Sequence, residues 1–116
     1  VVMPNLYGDI MSDGAAGLIG GLGLAPSGCY GENYAYFESA HGTAPDIAGK
    51  GTINPTATVL SAAMLLEYLG KDEGARLLKG SIASVYATQE NLTADQRGTA
   101  STSEFFNALQ TKLQGA

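Results

Sequence analysis

Residues 54–70 constrain the fold more than any other part of this sequence. Asn54 is suited to cap a helix, Pro55 to occupy its first turn, and Gly70 to end it, so the pattern predicts a helix whose body runs over 57–69. Val59, Leu60, Ala63, Met64, Leu66 and Tyr68 spread around most of that cylinder. A helix apolar on so many sides needs cover on more than one of them, in a core or at a subunit interface.

The flanking segments supply candidates for that cover. Val1 to Met3 reads as a short buried strand stopped by Pro4, and residues 10–22 as a helix weakened by Gly14, Gly17, Gly20 and Gly21. Residues 23–33 read as a turn-rich loop, 34–37 as an aromatic strand and 38–51 as a second loop. After Gly70, Asp72 reads as the cap of an amphipathic helix with Ala75, Leu78, Ile82 and Val85 or Tyr86 on one face. A polar loop over 88–99 follows, and Ser101-Thr102-Ser103-Glu104 forms a capping box ahead of Phe105, Leu109 and Leu113. The fold class is α/β.

Charge excludes some functions. The 116 residues carry a net charge of −5, and the six basic residues are scattered, so the sequence has no footprint for nucleic acid or an anionic membrane surface. Charged residues make up 15% of the chain against roughly 25% in an average soluble domain, which points to heavy burial rather than disorder. A single cysteine, Cys29, builds no disulfide framework and fits a reducing compartment. Nothing in the sequence reads as a leader or a membrane span. The opening Val-Val-Met reads as the tail of a strand, and the chain as a piece of a longer protein.

Three segments carry candidate chemistry. Asp9 and Asp13 are four apart, so a helix stacks their carboxylates on one face. Two readings stand here: complements to a helix dipole in its first turn, which spacing alone favours, or oxygen ligands for Mg²⁺ or Mn²⁺. The run Gly17-Leu18-Ile19-Gly20-Gly21-Leu22-Gly23 lacks the third glycine of a dinucleotide fingerprint and follows no convincing strand, so a Rossmann site is rejected.

In the loop Glu38-Ser39-Ala40-His41-Gly42-Thr43-Ala44-Pro45-Asp46-Ile47, the backbone N–H groups of Gly42, Thr43 and Ala44 suit phosphate oxygens. A lone histidine is more often structural than functional, and only these neighbours recommend His41. Asp46 suits the two hydroxyls of an adenosine ribose and repels a 2′-phosphate, favouring NAD over NADP. Asn54 either caps its helix, the safer reading locally, or bonds adenine.

The runs Asn5-Leu6-Tyr7-Gly8-Asp9-Ile10-Met11-Ser12-Asp13, Gly20-Gly21-Leu22-Gly23-Leu24-Ala25-Pro26 and His41-Gly42-Thr43-Ala44-Pro45-Asp46-Ile47-Ala48-Gly49-Lys50-Gly51, with Asn54-Pro55, resemble the isocitrate and isopropylmalate dehydrogenase family in order and spacing. That resemblance implies the C-terminal portion of the isopropylmalate dehydrogenase-like, non-Rossmann fold, with residues 1–116 forming the C-terminal part of one catalytic unit. It implies that Asp9 and Asp13 bind Mg²⁺ or Mn²⁺ together with substrate and an acid from a neighbouring subunit. His41 through Ile47 then form the adenosine-phosphate loop, with Asp46 at the ribose, Glu38 close to the cofactor and Asn54 at adenine. NADP-dependent relatives commonly carry Lys and Tyr where this chain has Asp46 and Ile47, which again favours NAD.

The activity implied is oxidation of a small 2-hydroxy acid by NAD followed by decarboxylation. Isocitrate is the preferred substrate on the look of Thr43 and the stretch from Gly98 to Phe105; the alternatives are 3-isopropylmalate, homoisocitrate and a non-catalytic regulatory subunit. The family's substrate-gripping arginines and its catalytic Tyr and Lys have no matching segment, so no catalytic residue is assigned and the chain alone is expected to be inert. A homodimer or higher oligomer with a shared site is implied, in the cytoplasm, or in the mitochondrial matrix of a eukaryote.

Overall fold

The computed structural model describes residues 1–115. Four helices and one hairpin follow in the order α1 (Asn5–Leu18), β1 (Pro26–Tyr30), β2 (Ala35–Ser39), α2 (Thr56–Tyr68), α3 (Asp72–Thr88) and α4 (Thr102–Gln114), with single 3₁₀ turns at Leu22–Leu24, Pro45–Ile47 and Ala94–Gln96. The α/β class holds.

The apolar helix α2 lies at the centre. On one side it carries the antiparallel hairpin, in which Gly28 faces Phe37 across the strands. A β-carbon at Gly28 would sit 3.0 Å from both Met64 and Phe37, so the missing side chain is what lets strand and helix approach. Tyr30, Phe37 and Tyr68 close the far end with ring centroids 5.5–6.1 Å apart. Ser61, buried on α2, donates to the Glu38 carbonyl at 2.6 Å and ties the helix to β2. On its other side α2 meets α3, and the core proper is Ile82, Val85, Phe105 and Leu109, with Val59 and Leu60 packed against it.

Helix ends follow their local chemistry. Gly70, at φ +70°, ends α2, with Lys71 N–H bonded to the Leu66 carbonyl at 2.8 Å and Gly70 N–H to that of Glu67 at 2.9 Å. The predicted capping box of α4 forms, Ser101 Oγ accepting from Glu104 N–H and the Glu104 carboxylate accepting from Ser101 N–H at 2.7 Å.

Other expectations are corrected. Val1 to Met3 is not a strand: Val1 and Val2 are fully exposed, and the two-stranded sheet offers them no pairing partner. The first helix starts and ends earlier than predicted. Pro4 supplies a favourable φ of −58° and its carbonyl accepts from Gly8 N–H, while Gly20 and Gly21, at φ +111° and +122°, stop the helix in the same double-bonded motif that ends α2. Part of the predicted 23–33 loop is β1, and Asp72 is the first residue of α3 rather than its cap, which falls on Lys71. The aromatic strand runs over Ala35–Ser39. Among the described residues no helix is long and apolar enough to cross a membrane.

Candidate functional site

Two cavities flank Leu22, which lines both. The first, about 600 Å³, is walled by α1 and the start of β1, with Asp9, Ser12, Asp13, Ile19, Pro26 and Ser27 among its lining. Because α1 begins at Asn5, neither acid lies in its first turn, where the helix dipole acts. The dipole reading therefore loses its physical basis. Both acids are exposed, and Asp9 Oδ2 accepts a long hydrogen bond, 3.4 Å, from Asn5. The one ion pair among the described residues, Lys79 with Glu67, is elsewhere, so no cationic side chain among them pairs with either acid. No group of three His, Cys, Asp or Glu within reach of one metal exists among the described residues. Two carboxylates facing open space, with their oxygens largely unengaged, fit a hard divalent cation that takes its remaining ligands from outside the chain.

The second cavity, about 380 Å³, is lined by Gly20 to Gly23, by His41, Gly42, Ala44 and Ile47, and by Thr52, Ile53, Asn54 and Asp95. His41 is half-buried, its Nδ1 3.0 Å from the Gly42 carbonyl. Ala44 adopts a left-handed conformation, φ +42° and ψ +61°, which turns the chain into the 3₁₀ turn that follows. The N–H groups of Gly42, Thr43 and Ala44 donate to no protein acceptor among the described residues, and Gly42 and Ala44 line the cavity. Thr43, Pro45 and Asp46 belong to the same loop but are exposed and do not line the cavity, and Glu38, on β2, lines neither.

Asn54 forms the floor. It is 3% exposed, and every polar atom of its side chain is engaged: Oδ1 accepts from Thr56 N–H, and Nδ2 donates to Tyr86 Oη and to Asp95 Oδ2, all at 3.0 Å. The helix begins one residue later than predicted, at Thr56, yet Asn54 still satisfies its first N–H. Asn54 is therefore not the N-cap, a position that Pro55 takes, but stands just before it with its amide committed to Thr56, Tyr86 and Asp95.

Asp95, at this floor, was not singled out by the sequence, because it lies in a polar loop whose partners are distant along the chain. Burial raises its pKa, but hydrogen bonds from Thr93, Asn54 and Gln96 outweigh that and hold the carboxyl below its ordinary value. The cavity therefore carries a fixed negative charge at its base.

A chain of this class, with paired acids on one helix and a glycine-bounded cavity beside them, can be placed among known proteins. Residues 1–109 match the isocitrate/isopropylmalate dehydrogenase family, and the chain belongs to it. It is 52% identical over 114 residues to the isocitrate/homoisocitrate dehydrogenase of Thermus thermophilus, covering 98% of this chain and 34% of that protein. It is 50% identical over 114 residues to a mitochondrial NAD isocitrate dehydrogenase regulatory subunit of Dictyostelium discoideum, covering 97% and 32%. The crystal structure of isocitrate dehydrogenase from Methylococcus capsulatus superposes with a TM-score of 0.89 at 40% identity, over 95% of this chain and 33% of that one. The chain thus spans about a third of the length of these relatives.

Proposed function

We propose that the whole protein containing this chain catalyses the NAD- and divalent-metal-dependent oxidative decarboxylation of a 2-hydroxy acid, isocitrate to 2-oxoglutarate, with residues 1–116 as the C-terminal part of an isopropylmalate dehydrogenase-like catalytic unit. The observation that carries this reading is the pairing of cavities across Leu22, one with two acids and the other bordered by a loop whose Gly42, Thr43 and Ala44 N–H groups have no acceptor among the described residues. When bound, a nicotinamide cofactor supplies the hydride acceptor and a divalent cation supplies a Lewis acid.

This chain's own residues bind and orient. Asp9 and Asp13 contribute two anionic ligands from one rigid helix face. Gly42, Thr43 and Ala44 present N–H groups to a pyrophosphate. Asp46, exposed on the same loop, accepts from ribose hydroxyls. His41 and Ile47 wall the adenosine, Glu38 stands near its outer edge, and Asn54 meets adenine through its main chain, since its amide is committed. The proton-moving groups belong to the rest of the protein, and the site is completed in an oligomer. The Dictyostelium relative is named as a mitochondrial subunit, in keeping with a matrix location in a eukaryote and a cytoplasmic one otherwise.

Turnover of the whole protein on isocitrate with NAD⁺ and Mn²⁺, compared with 3-isopropylmalate and homoisocitrate, tests the reaction. Reduction of NAD⁺ with none of the three would sink it. The Dictyostelium relative, named as a regulatory subunit, favours a second reading in which the protein is non-catalytic and binds NAD⁺ or metal without turnover. The cofactor assignment has its own check: Asp46→Lys with Ile47→Tyr in the whole protein is expected to shift kcat/KM toward NADP⁺ by about 10²-fold or more, since one carboxylate repelling a phosphate is exchanged for an ammonium attracting it. Unchanged preference would remove Asp46 from the ribose.

A further inference from the structure

We infer that Tyr86, on α3 and outside the cavity, is a positioning residue for the adenosine end of that cavity. The inference rests on the reading of this cavity as the adenosine site.

Tyr86 Oη accepts from the Asn54 amide at 3.0 Å and lies 2.9 Å from Thr56 Oγ1. In that second contact either hydroxyl can donate. The Asn54 amide has only one consistent orientation. Thr56 N–H can only donate and the Asp95 carboxylate can only accept, so the Asn54 amide has its oxygen toward Thr56 and its nitrogen toward Asp95. Its second N–H then needs an acceptor in a place shut off from water, and Tyr86 is the only one among the described residues that supplies it.

Through Asn54, Tyr86 fixes both the main chain at the cavity floor and the seat of the Asp95 carboxylate. Asp95 is held from its other side by Thr93 and Gln96. Ring packing is a separate matter: Tyr86 meets Phe105 edge-on at 5.8 Å, a contact that phenylalanine reproduces.

The test is Tyr86→Phe in the whole protein, with Val85→Ala as its control. Val85, its neighbour on the same helix, is more deeply buried than Tyr86 but bonds to none of the network, so it reports loss of core packing alone. NAD⁺ and ADP-ribose binding are measured by calorimetry beside the melting temperature. Tyr86→Phe orphans a buried N–H and is expected to weaken both ligands about tenfold, with kcat at saturating NAD⁺ unchanged. Val85→Ala is expected to melt earlier and bind both as the unaltered protein does.

Equal affinity in Tyr86→Phe overturns the inference, and so does an equal loss in Val85→Ala, which would mark the effect as general destabilisation. An unaltered protein that binds neither ligand overturns the adenosine reading itself, and the inference with it.

Discussion

Replacing Asp9 by asparagine in the whole protein is expected to raise the Mg²⁺ or Mn²⁺ concentration for half-maximal turnover by about 10²–10³-fold, the scale of several kcal/mol of charge stabilisation at a metal. The exchange is nearly isosteric. Asparagine and aspartate have similar helix propensities, and the carbonyl of the new amide can still accept from Asn5, so α1 keeps its shape. What disappears is one of two negative charges on the wall of the larger cavity. Asp13→Asn is expected to behave alike, because the two acids face the same space. Metal affinity read by calorimetry, with the melting temperature alongside, separates the possibilities. Were the pair merely surface acids, the substitution would relieve repulsion between neighbours one turn apart and stabilise the helix by a few tenths of a kcal/mol, with no change in metal affinity.

The same pair shows what the sequence could and could not disclose. Four-residue spacing put both acids on one helix face, but their value depended on where the helix starts. Pro4 and the glycines at 20 and 21 move the helix five residues upstream of its predicted start at Ile10, taking the acids out of its first turn. Local chemistry of this kind was legible at Gly70 and at the Ser101–Glu104 box, because each is settled within a few residues.

Strand β1 was not legible, since Pro26, Ser27 and Gly28 look like a turn until α2 is laid against them. Asp95 was hidden for the same reason: its bond to Asn54 spans 41 residues, and no periodicity announces a contact of that range. The loop 41–47 falls between these cases. Its glycine and free N–H groups were legible from composition, whereas the left-handed turn at Ala44, a residue type that rarely adopts one, was not.

Gly98→Ala is expected to destabilise the whole protein by about 2–4 kcal/mol, at the severe end of single substitutions, lowering the melting temperature by several degrees. Backbone freedom is not the cause, since Gly98 has no left-handed φ. The cause is contact. A β-carbon there would collide with the carbonyl carbon and oxygen of Leu92 and lie 2.8 Å from its Cβ.

That carbonyl accepts from Ala100 N–H at 2.9 Å, and Gly98 N–H itself bonds to the Thr93 carbonyl at 3.0 Å, so the turn cannot give way without losing both. Leu92 packs on the core, and the turn between it and Gly98 carries Thr93 and Asp95. One methyl group should therefore loosen both the core and the cavity floor, and NAD⁺ affinity should fall with stability. Gly80→Ala provides the contrast. Gly80 lies inside α3 with nothing within 4 Å of its would-be β-carbon, and there the same methyl is expected to stabilise by about 0.5–1 kcal/mol through helix propensity. Melting curves that moved both variants in the same direction would contradict the packing of the 92–100 turn, and with it the placement of Asp95 under the cavity.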